Sequence, residues 1–212
     1  MAVCGFEQTD GIAPLVSQED LIPQCFTAEQ FYREYYINAT IACGKLYEKT
    51  LFVQQRFPVG KLNEDEFLTY RILFAAERLV WIPAPLYAYY VNNESITHKS
   101  WRPQRRDAWE AYEEQLLFFK DCPEIQNQCL RRYVRNIWGQ IIQAKNSGNP
   151  EYDVYIPEMQ KKFKKLFRLA QKRKCLSYDQ DFPLLIQASP VRTRAAMYWR
   201  AIKRRLKGKR NA

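Results

Sequence analysis

Three consecutive carboxylates, Glu64, Asp65 and Glu66, stand directly before an apolar segment that begins at Phe67. Asn63 before them and Glu66 three positions later form the pattern of a capping box, which predicts that the acids occupy the first turn of a helix. The helix dipole favours ionised carboxylates there, by about 0.3–1 kcal/mol each. A carboxylate held on a rigid helix N-terminus could act as a general base, or it could serve only to stabilise the turn.

Further motifs surround these carboxylates in a fixed order. Lys45-Leu46-Tyr47 stands upstream, and Pro85-Leu86-Tyr87 and Ser95-Ile96-Thr97 follow downstream. The series resembles the acceptor-side half of bacterial family 2 glycosyltransferases, which are GT-A enzymes that build capsule, lipopolysaccharide and other surface glycans. The resemblance is clearest over residues 42–97.

The resemblance implies a role for each matched residue. Asp65 corresponds to the family's general base, which takes a proton from an acceptor hydroxyl so that the oxygen can attack a nucleotide-sugar at its anomeric carbon with inversion. Glu64 is expected to orient the acceptor or Asp65. Lys45 is expected to face a phosphate or an acceptor hydroxyl, and a solvated surface lysine is the alternative. The other substrate-binding candidates are Tyr87, Tyr89 and Ser95.

The chain departs from the family pattern in two places. Cys43-Gly44 stands where the family often has Trp-Asn, and Tyr90 and Asn92 stand where it often has arginines. The contacts to donor and acceptor are therefore expected to differ from those of typical members.

The donor-binding half of such an enzyme is not recognisable in the sequence. No Asp-x-Asp motif that would hold a metal on the donor diphosphate precedes Val3, and Asp179-Gln180-Asp181 is interpreted as a loop. The resemblance implies Mg²⁺ or Mn²⁺ with a nucleotide-sugar for the complete enzyme, and no metal ligand in this chain. The chain is therefore interpreted as the acceptor-side part of a truncated transferase, inactive on its own.

The composition indicates a folded protein without a membrane span. Of the 212 residues, 47% are hydrophobic and 15% aromatic, which excludes intrinsic disorder. We expect no signal peptide and no apolar run near the roughly 18 residues of a spanning helix. The six cysteines show no CxxC spacing, so they are expected to be reduced, intracellular and without zinc.

Positive charge is concentrated at the C-terminal end. Residues 160–212 hold 17 of the 33 Lys and Arg residues and carry a net charge of +15, whereas residues 1–159 carry −5. Residues 191–210 combine an apolar helical stripe with basic residues, which is typical of a helix on an anionic membrane. The predicted membrane contacts are Arg192, Trp199, Arg200, Lys203, Arg204 and Lys207. Residues 161–174 form a second basic patch, for which a solvated helix face is the alternative.

The residue pattern predicts an α/β fold: a partial GT-A-like mixed sheet with flanking helices, followed by a mainly helical C-terminal extension. Strands are predicted over residues 2–6, 79–82 and 86–90, the last two separated by Pro83 and Pro85. Helices are predicted over 27–36, 41–52, 64–77, 103–120, 124–146, 157–174 and 191–207. The expected regions are an acceptor-side transferase part (1–100), a helical extension (101–190) and a basic amphipathic helix with its tail (191–212).

Three functional classes compete. The first is an inverting hexosyltransferase of surface polysaccharide synthesis, placed in the cytoplasm on the inner face of the cell membrane, with a glycan or lipid-linked acceptor. The second is a non-catalytic remnant or scaffold subunit. The third is a basic nucleic-acid-binding module; no base-reading motif supports it, so no nucleic-acid partner is expected.

Overall fold

The computed structural model describes residues 1–9, 16–90, 101–177 and 181. In this part of the chain four strands form one mixed sheet: β1 Ala2–Thr9, β2 Gln24–Phe26, β3 Lys45–Leu46 and β4 Leu79–Tyr90. The order across the sheet is β2-β4-β1-β3, with β1 and β4 parallel and each outer strand antiparallel to its neighbour. A mixed sheet with a mainly helical remainder confirms the α/β class, whereas GT-A-like topology stays a prediction.

The central strand pair changes register part-way along. Cys4 lies opposite Ile82, but Phe6 lies opposite Tyr87, so that the single residue Gly5 faces four residues, 83–86, of β4. The two backbones approach closely at this point. Glycine at position 5 permits this approach, because any side chain there would collide with the backbone of the facing strand.

The predicted separation of the segment 79–90 into two strands is wrong. Pro83 and Pro85 lack a backbone N–H and cannot donate to the ladder, yet Leu79–Tyr90 is one strand. The prolines fall within the register shift rather than between strands, so the pairing with β1 resumes after them. β1 is also longer than predicted and continues to Thr9.

Six helices lie in the described ranges: α1 Ala28–Glu34, α2 Tyr36–Thr40, α3 Glu64–Ala75, α4 Asp107–Phe118, α5 Pro123–Asn146 and α6 Ile156–Lys172. Five of them, all except α2, agree with predicted helical segments, and a single 3₁₀ turn, Pro103–Arg106, precedes α4. A capping box opens α1, since Thr27 Oγ1 accepts from the Gln30 N–H at 3.2 Å and Gln30 Oε1 accepts from the Thr27 N–H at 3.0 Å. The predicted helix over 191–207 lies outside the described residues.

The helix predicted over residues 41–52 is wrong. Gly44 has a φ of +67°, in the left-handed region, which ends any helical path at that point. Lys45 then pairs with Val3 as part of β3, and a 3₁₀ turn spans Lys49–Phe52. Pairing with Val3, which is far away in sequence, has overridden the helical preference predicted for residues 41–52.

Two apolar cores meet on α5. Leu130 and Ile137 pack with Met159 of α6 in a helical core, while Ile125 packs with Trp81 in a core beside the sheet. α5 therefore connects the sheet to the helical part, and the division near residue 100 stays a prediction. No helix in the described ranges is long and apolar enough to cross a membrane.

α6 buries the apolar side of the second basic patch. Its residues Met159, Phe163, Leu166, Phe167 and Ala170 are buried. Its exposed side carries five basic residues, Lys161, Lys164, Lys165, Arg168 and Lys172. Within the described ranges, the basic residues of this patch therefore form the solvated side of α6, while its apolar side is packed on the core.

Candidate functional site

Asp65 lies in the first turn of α3, but the turn is not closed by the predicted capping box. Asn63 adopts a left-handed conformation, with φ 58° and ψ 45°, and its side chain makes no capping hydrogen bond. Such a bond needs an extended backbone at the cap residue. The Glu66 N–H instead donates to Asp65 Oδ1 at 2.9 Å, and the Glu66 carboxylate turns inward to Arg132. The capping-box prediction is therefore wrong, although the helix start is correct.

The half-buried Asp65 carboxyl holds its proton unusually tightly. Its pKa is raised from 3.8 to about 6, chiefly by burial and also by the neighbouring Glu66 and Glu64 charges, while the hydrogen bond from the Glu66 N–H lowers it. A base with a pKa near neutrality is ionised at pH 7 and can still accept a proton readily. Asp65 thus has the proton affinity that general-base chemistry requires.

Lys45 is half-buried beside this carboxylate rather than a solvated surface side chain. Its ammonium group donates to the carbonyl oxygen of Ile41 and, at 3.3 Å, to that of Cys43. Burial lowers its pKa to about 8, while Cys43, Asp65 and Cys4 raise it. The Asp65 carboxylate thus acts electrostatically on the Lys45 ammonium group.

Lys45 also lines a cleft of about 650 Å³ between β1, the 42–46 segment and β4. Cys4, Cys43 and Leu86 contribute to its walls, and Tyr87 closes one side. Tyr87 is 39% exposed, so its ring is available to a ligand that enters the cleft. Asp65 does not line this cleft. It interacts electrostatically with Lys45 and Cys43, which do line it.

The remaining predicted site residues are not all gathered here. Glu64 is exposed on the first turn of α3. Tyr89 is half-buried, with its ring centroid 6.3 Å from that of Phe6. Ser95 and the predicted membrane contacts lie outside the described residues. The structure therefore joins Asp65, Lys45 and Tyr87 in one region and leaves their roles as predictions.

Two residues that interact with Asp65, Tyr47 and Glu66, were not predicted as site residues. The Tyr47 hydroxyl donates to the Ala42 carbonyl oxygen at 2.9 Å and interacts with Asp65 and Cys43, and burial strongly raises its pKa. Glu66 was interpreted as a cap, although it pairs with Arg132. The signal that could have revealed this pair is an arginine on the apolar stripe of a long amphipathic helix.

A second cleft of about 600 Å³ runs along α3 and was not predicted. Its walls include Phe67, Phe74 and Phe118, together with Arg71, whose Nη2 lies 3.0 Å from Glu114 Oε2. Aromatic walls with a few convergent polar groups are typical of small-molecule pockets. It offers a second place at which a substrate could contact the helix that carries Asp65.

The described residues offer no metal centre. Within them, no group of three or more His, Cys, Asp or Glu side chains is placed to hold a metal ion. Asp181, from the segment interpreted as a loop, is buried and accepts from Arg131 Nε at 2.8 Å. The Asp181 carboxylate is paired with an arginine of α5, which argues against a metal-binding role for Asp181.

One curated protein is similar to part of this chain. A segment of 56 residues is 39% identical to glycosyltransferase GlyA of Streptococcus pneumoniae serotype 4. The segment makes up 26% of this chain and 8% of that protein. No protein-family model matches the sequence. The similarity suggests a glycosyltransferase.

Proposed function

We propose that this chain provides the acceptor side of an inverting family 2 glycosyltransferase. The enzyme would move a sugar from a nucleotide-sugar to a glycan or lipid-linked acceptor in surface polysaccharide synthesis, and the chain would be part of a longer protein. The observation that carries this proposal is the half-buried Asp65 carboxylate at the start of α3, with a pKa of about 6, which acts electrostatically on the half-buried Lys45 ammonium group. The segment similar to a glycosyltransferase supports the same activity.

In the proposed reaction Asp65 removes a proton from an acceptor hydroxyl. The oxygen forms a bond to the anomeric carbon while the bond from that carbon to the diphosphate oxygen breaks, and the proton remains on Asp65. The electron pair of the broken bond leaves with the nucleoside diphosphate. A positioned base of this kind typically contributes about 10²–10⁴-fold to the rate.

Lys45 and Tyr87 are proposed to hold the acceptor. Lys45 can interact with a phosphate or hydroxyl that enters the cleft, and the partly exposed Tyr87 ring offers an apolar face for a sugar. Glu64, Tyr89 and Ser95 are proposed to complete the substrate contacts. Mg²⁺ or Mn²⁺ is expected with the donor in the complete enzyme; the described residues do not fit such an ion, so no step here depends on it.

The test is sugar transfer by the native form of the protein, isolated from its source cells. Release of nucleoside diphosphate from UDP-glucose, UDP-galactose and UDP-N-acetylglucosamine is followed with and without a lipid-linked glycan fraction from the same cells. We expect acceptor-dependent release that Asp65→Asn lowers by at least about 100-fold. Glu29→Gln, at an exposed position on α1, is the matched control. Full activity in the folded Asp65→Asn variant would remove Asp65 as the base.

We also propose that the protein lies on the inner face of the cell membrane through residues 191–210. Each basic residue near an anionic surface contributes about 1 kcal/mol, so the five basic residues among the six predicted contacts would suffice for peripheral binding. Flotation with vesicles that contain phosphatidylglycerol, compared for the full chain and a chain ending at residue 190, tests this. Equal flotation of both forms would contradict the proposal, and salt-sensitive RNA binding at physiological ionic strength would favour a nucleic-acid partner.

A further inference from the structure

A buried polar cluster surrounds Arg132 on α5, and it touches α3, which carries Asp65, and α2, which leads to Lys45. The Arg132 cluster consists of Tyr32, Thr40, Glu66, Tyr112, Gln115 and Arg132. We propose that Arg132 is a positioning residue that fixes α2 and α3 relative to each other and thereby sets the arrangement of Lys45 and Asp65. This inference rests on the proposed function of Asp65 as the base.

On the α3 side, the cluster immobilises the residue next to Asp65. Arg132 Nη2 donates to Glu66 Oε1, and Gln115 Nε2 donates to the Glu66 carbonyl oxygen at 2.7 Å and to Oε2 at 2.8 Å. The Tyr112 hydroxyl donates to Oε1 at 3.4 Å. Because the Glu66 N–H holds Asp65 Oδ1, fixing Glu66 also fixes the orientation of the Asp65 carboxylate.

On the α2 side, the same guanidinium group holds the segment that leads to Lys45. Arg132 Nη2 donates to Thr40 Oγ1 at 3.4 Å, and its guanidinium carbon lies 4.7 Å from the centre of the Tyr36 ring. Thr40 ends α2 and precedes Ile41, whose carbonyl oxygen accepts from Lys45 Nζ. Arg132 is thus connected to Lys45 through Thr40 and to Asp65 through Glu66.

An arginine suits this position better than a lysine. Its planar fork of donors reaches several acceptors at once, whereas an ammonium group on a flexible stem does not. The side chains of Arg132 and Glu66 are only 12% and 14% exposed, so their interaction is weakly screened by solvent. The positive charge of Arg132 also offsets the charge of Glu66, which lies next to Asp65.

The charged and titratable groups that interact with Asp65 come from two segments, α3 and residues 43–47. Glu64 and Glu66 belong to α3, Lys45 belongs to β3, and Cys43 and Tyr47 flank β3. The titration of Asp65 and Lys45 therefore reports on how these segments are arranged, independently of any enzymatic activity.

The deciding experiment is NMR titration of both groups in the full chain with Arg132→Lys. The Asp65 carboxyl carbon is observed in protein labelled at aspartate and assigned with Asp65→Asn; Lys45 is observed through labelled lysine and assigned with Lys45→Met. We expect the Asp65 midpoint to fall from about 6 and the Lys45 midpoint to rise from about 8, because loosening α2 from α3 admits water. Unchanged midpoints in the folded variant would overturn the proposal.

Glu66→Gln keeps the experiment decisive if Arg132→Lys fails to fold. The amide oxygen can still accept from Arg132, but the charge-assisted pairing is lost, so α2 and α3 should loosen and the Lys45 midpoint should rise; Glu66 is not among the charges that act directly on Lys45. An unchanged Lys45 midpoint in the folded variant would overturn the proposal. Arg33→Gln, in an exposed ion pair with Glu124 at 2.7 Å, is the matched control and should leave both midpoints unchanged.

Failure of the proposed function gives a different result from failure of this inference. If Asp65→Asn retains transfer activity while Arg132→Lys shifts both midpoints, Asp65 is not the base, but the positioning by Arg132 stands. If Asp65→Asn abolishes transfer and the midpoints do not move, Asp65 is the base and Arg132 has a purely structural role.

Discussion

The Asp65 and Glu66 carboxylates are adjacent in sequence but face different environments. Glu66 is paired with Arg132 and accepts from Gln115 at 2.8 Å, whereas Asp65 is half-buried and accepts from the Glu66 N–H at 2.9 Å. One carboxylate is therefore neutralised by a cation, while the other keeps a high proton affinity. Such division of two neighbouring acids is how proteins separate a structural role from a reactive one.

The rate of sugar transfer should depend on pH as a bell-shaped curve. Asp65 must lose its proton to act as a base, so the rate should rise as pH passes about 6, and it should fall above about 8 if the charged form of Lys45 is required. The measurement is kcat/KM between pH 5 and pH 9.5. Lys45→Met should remove the alkaline limb, and a flat profile from pH 5 to pH 7 would contradict the assignment of Asp65.

Asp65→Asn should stabilise the folded chain above pH 6. The pKa of Asp65 is 3.8 ordinarily and about 6 in the fold, so its contribution to stability is fully present below 3.8 and is lost as pH rises through about 6. Asparagine avoids this loss and can still accept the Glu66 N–H. We expect a gain of about 1–3 kcal/mol in the free energy of unfolding at pH 7.5. Urea denaturation at pH 7.5 and pH 4 checks it, because the gain should disappear at pH 4.

Removing one partner of the Arg132–Glu66 pair should be costly. Arg132→Met leaves the Glu66 carboxylate buried without its cation, and we expect a loss of about 3–5 kcal/mol in the free energy of unfolding. The exposed Arg33–Glu124 pair is the control, since Arg33→Gln should cost less than about 1 kcal/mol. Adding Glu66→Leu to Arg132→Met should recover part of the loss. A double variant whose loss equals the sum of the single losses would show that the two groups are not coupled.

Gly5→Ala should destabilise the sheet. A methyl group at this position would lie 2.4 Å from the carbonyl oxygen of Pro83, so β1 and β4 would have to separate at the register shift. We expect a loss of about 1–3 kcal/mol in the free energy of unfolding. Gly139→Ala on α5 is the opposite case: nothing lies within 4 Å of the added methyl, and alanine should stabilise the helix by about 0.5–1 kcal/mol. Equal effects of the two substitutions would contradict the register described here.

Periodicity in the sequence predicted the long helices well and the short elements poorly. α5 and α6 carry strong apolar stripes, so their bounds were predicted to within about two residues. β3 was predicted as part of a helix because a two-residue strand has no period of its own. Its conformation depends on Val3, far away in sequence, and on the left-handed Gly44.

The candidate site was predictable in its residue types but not in its electrostatics. The motif order predicted Asp65 and Lys45 as site residues, and their roles stay predictions; in the structure the two charges interact electrostatically. The raised pKa of Asp65 arises from burial, and the inward turn of Glu66 arises from Arg132, which lies on another helix. Neither effect can be deduced from local spacing, because both depend on segments that meet only in the folded chain.

The pairing of β1 with β4 also determines the order in which the chain can fold. Ala2 lies opposite Val80 and Thr9 opposite Tyr90. β1 and β4 can therefore pair only when the chain between them has closed into a long loop, which costs conformational entropy. The contacts of α5 with α6 are local by comparison and can form early. In a refolding experiment, helical signal should therefore return before tertiary signal from Trp81, and Lys45 and Asp65 should come together only in the slower phase.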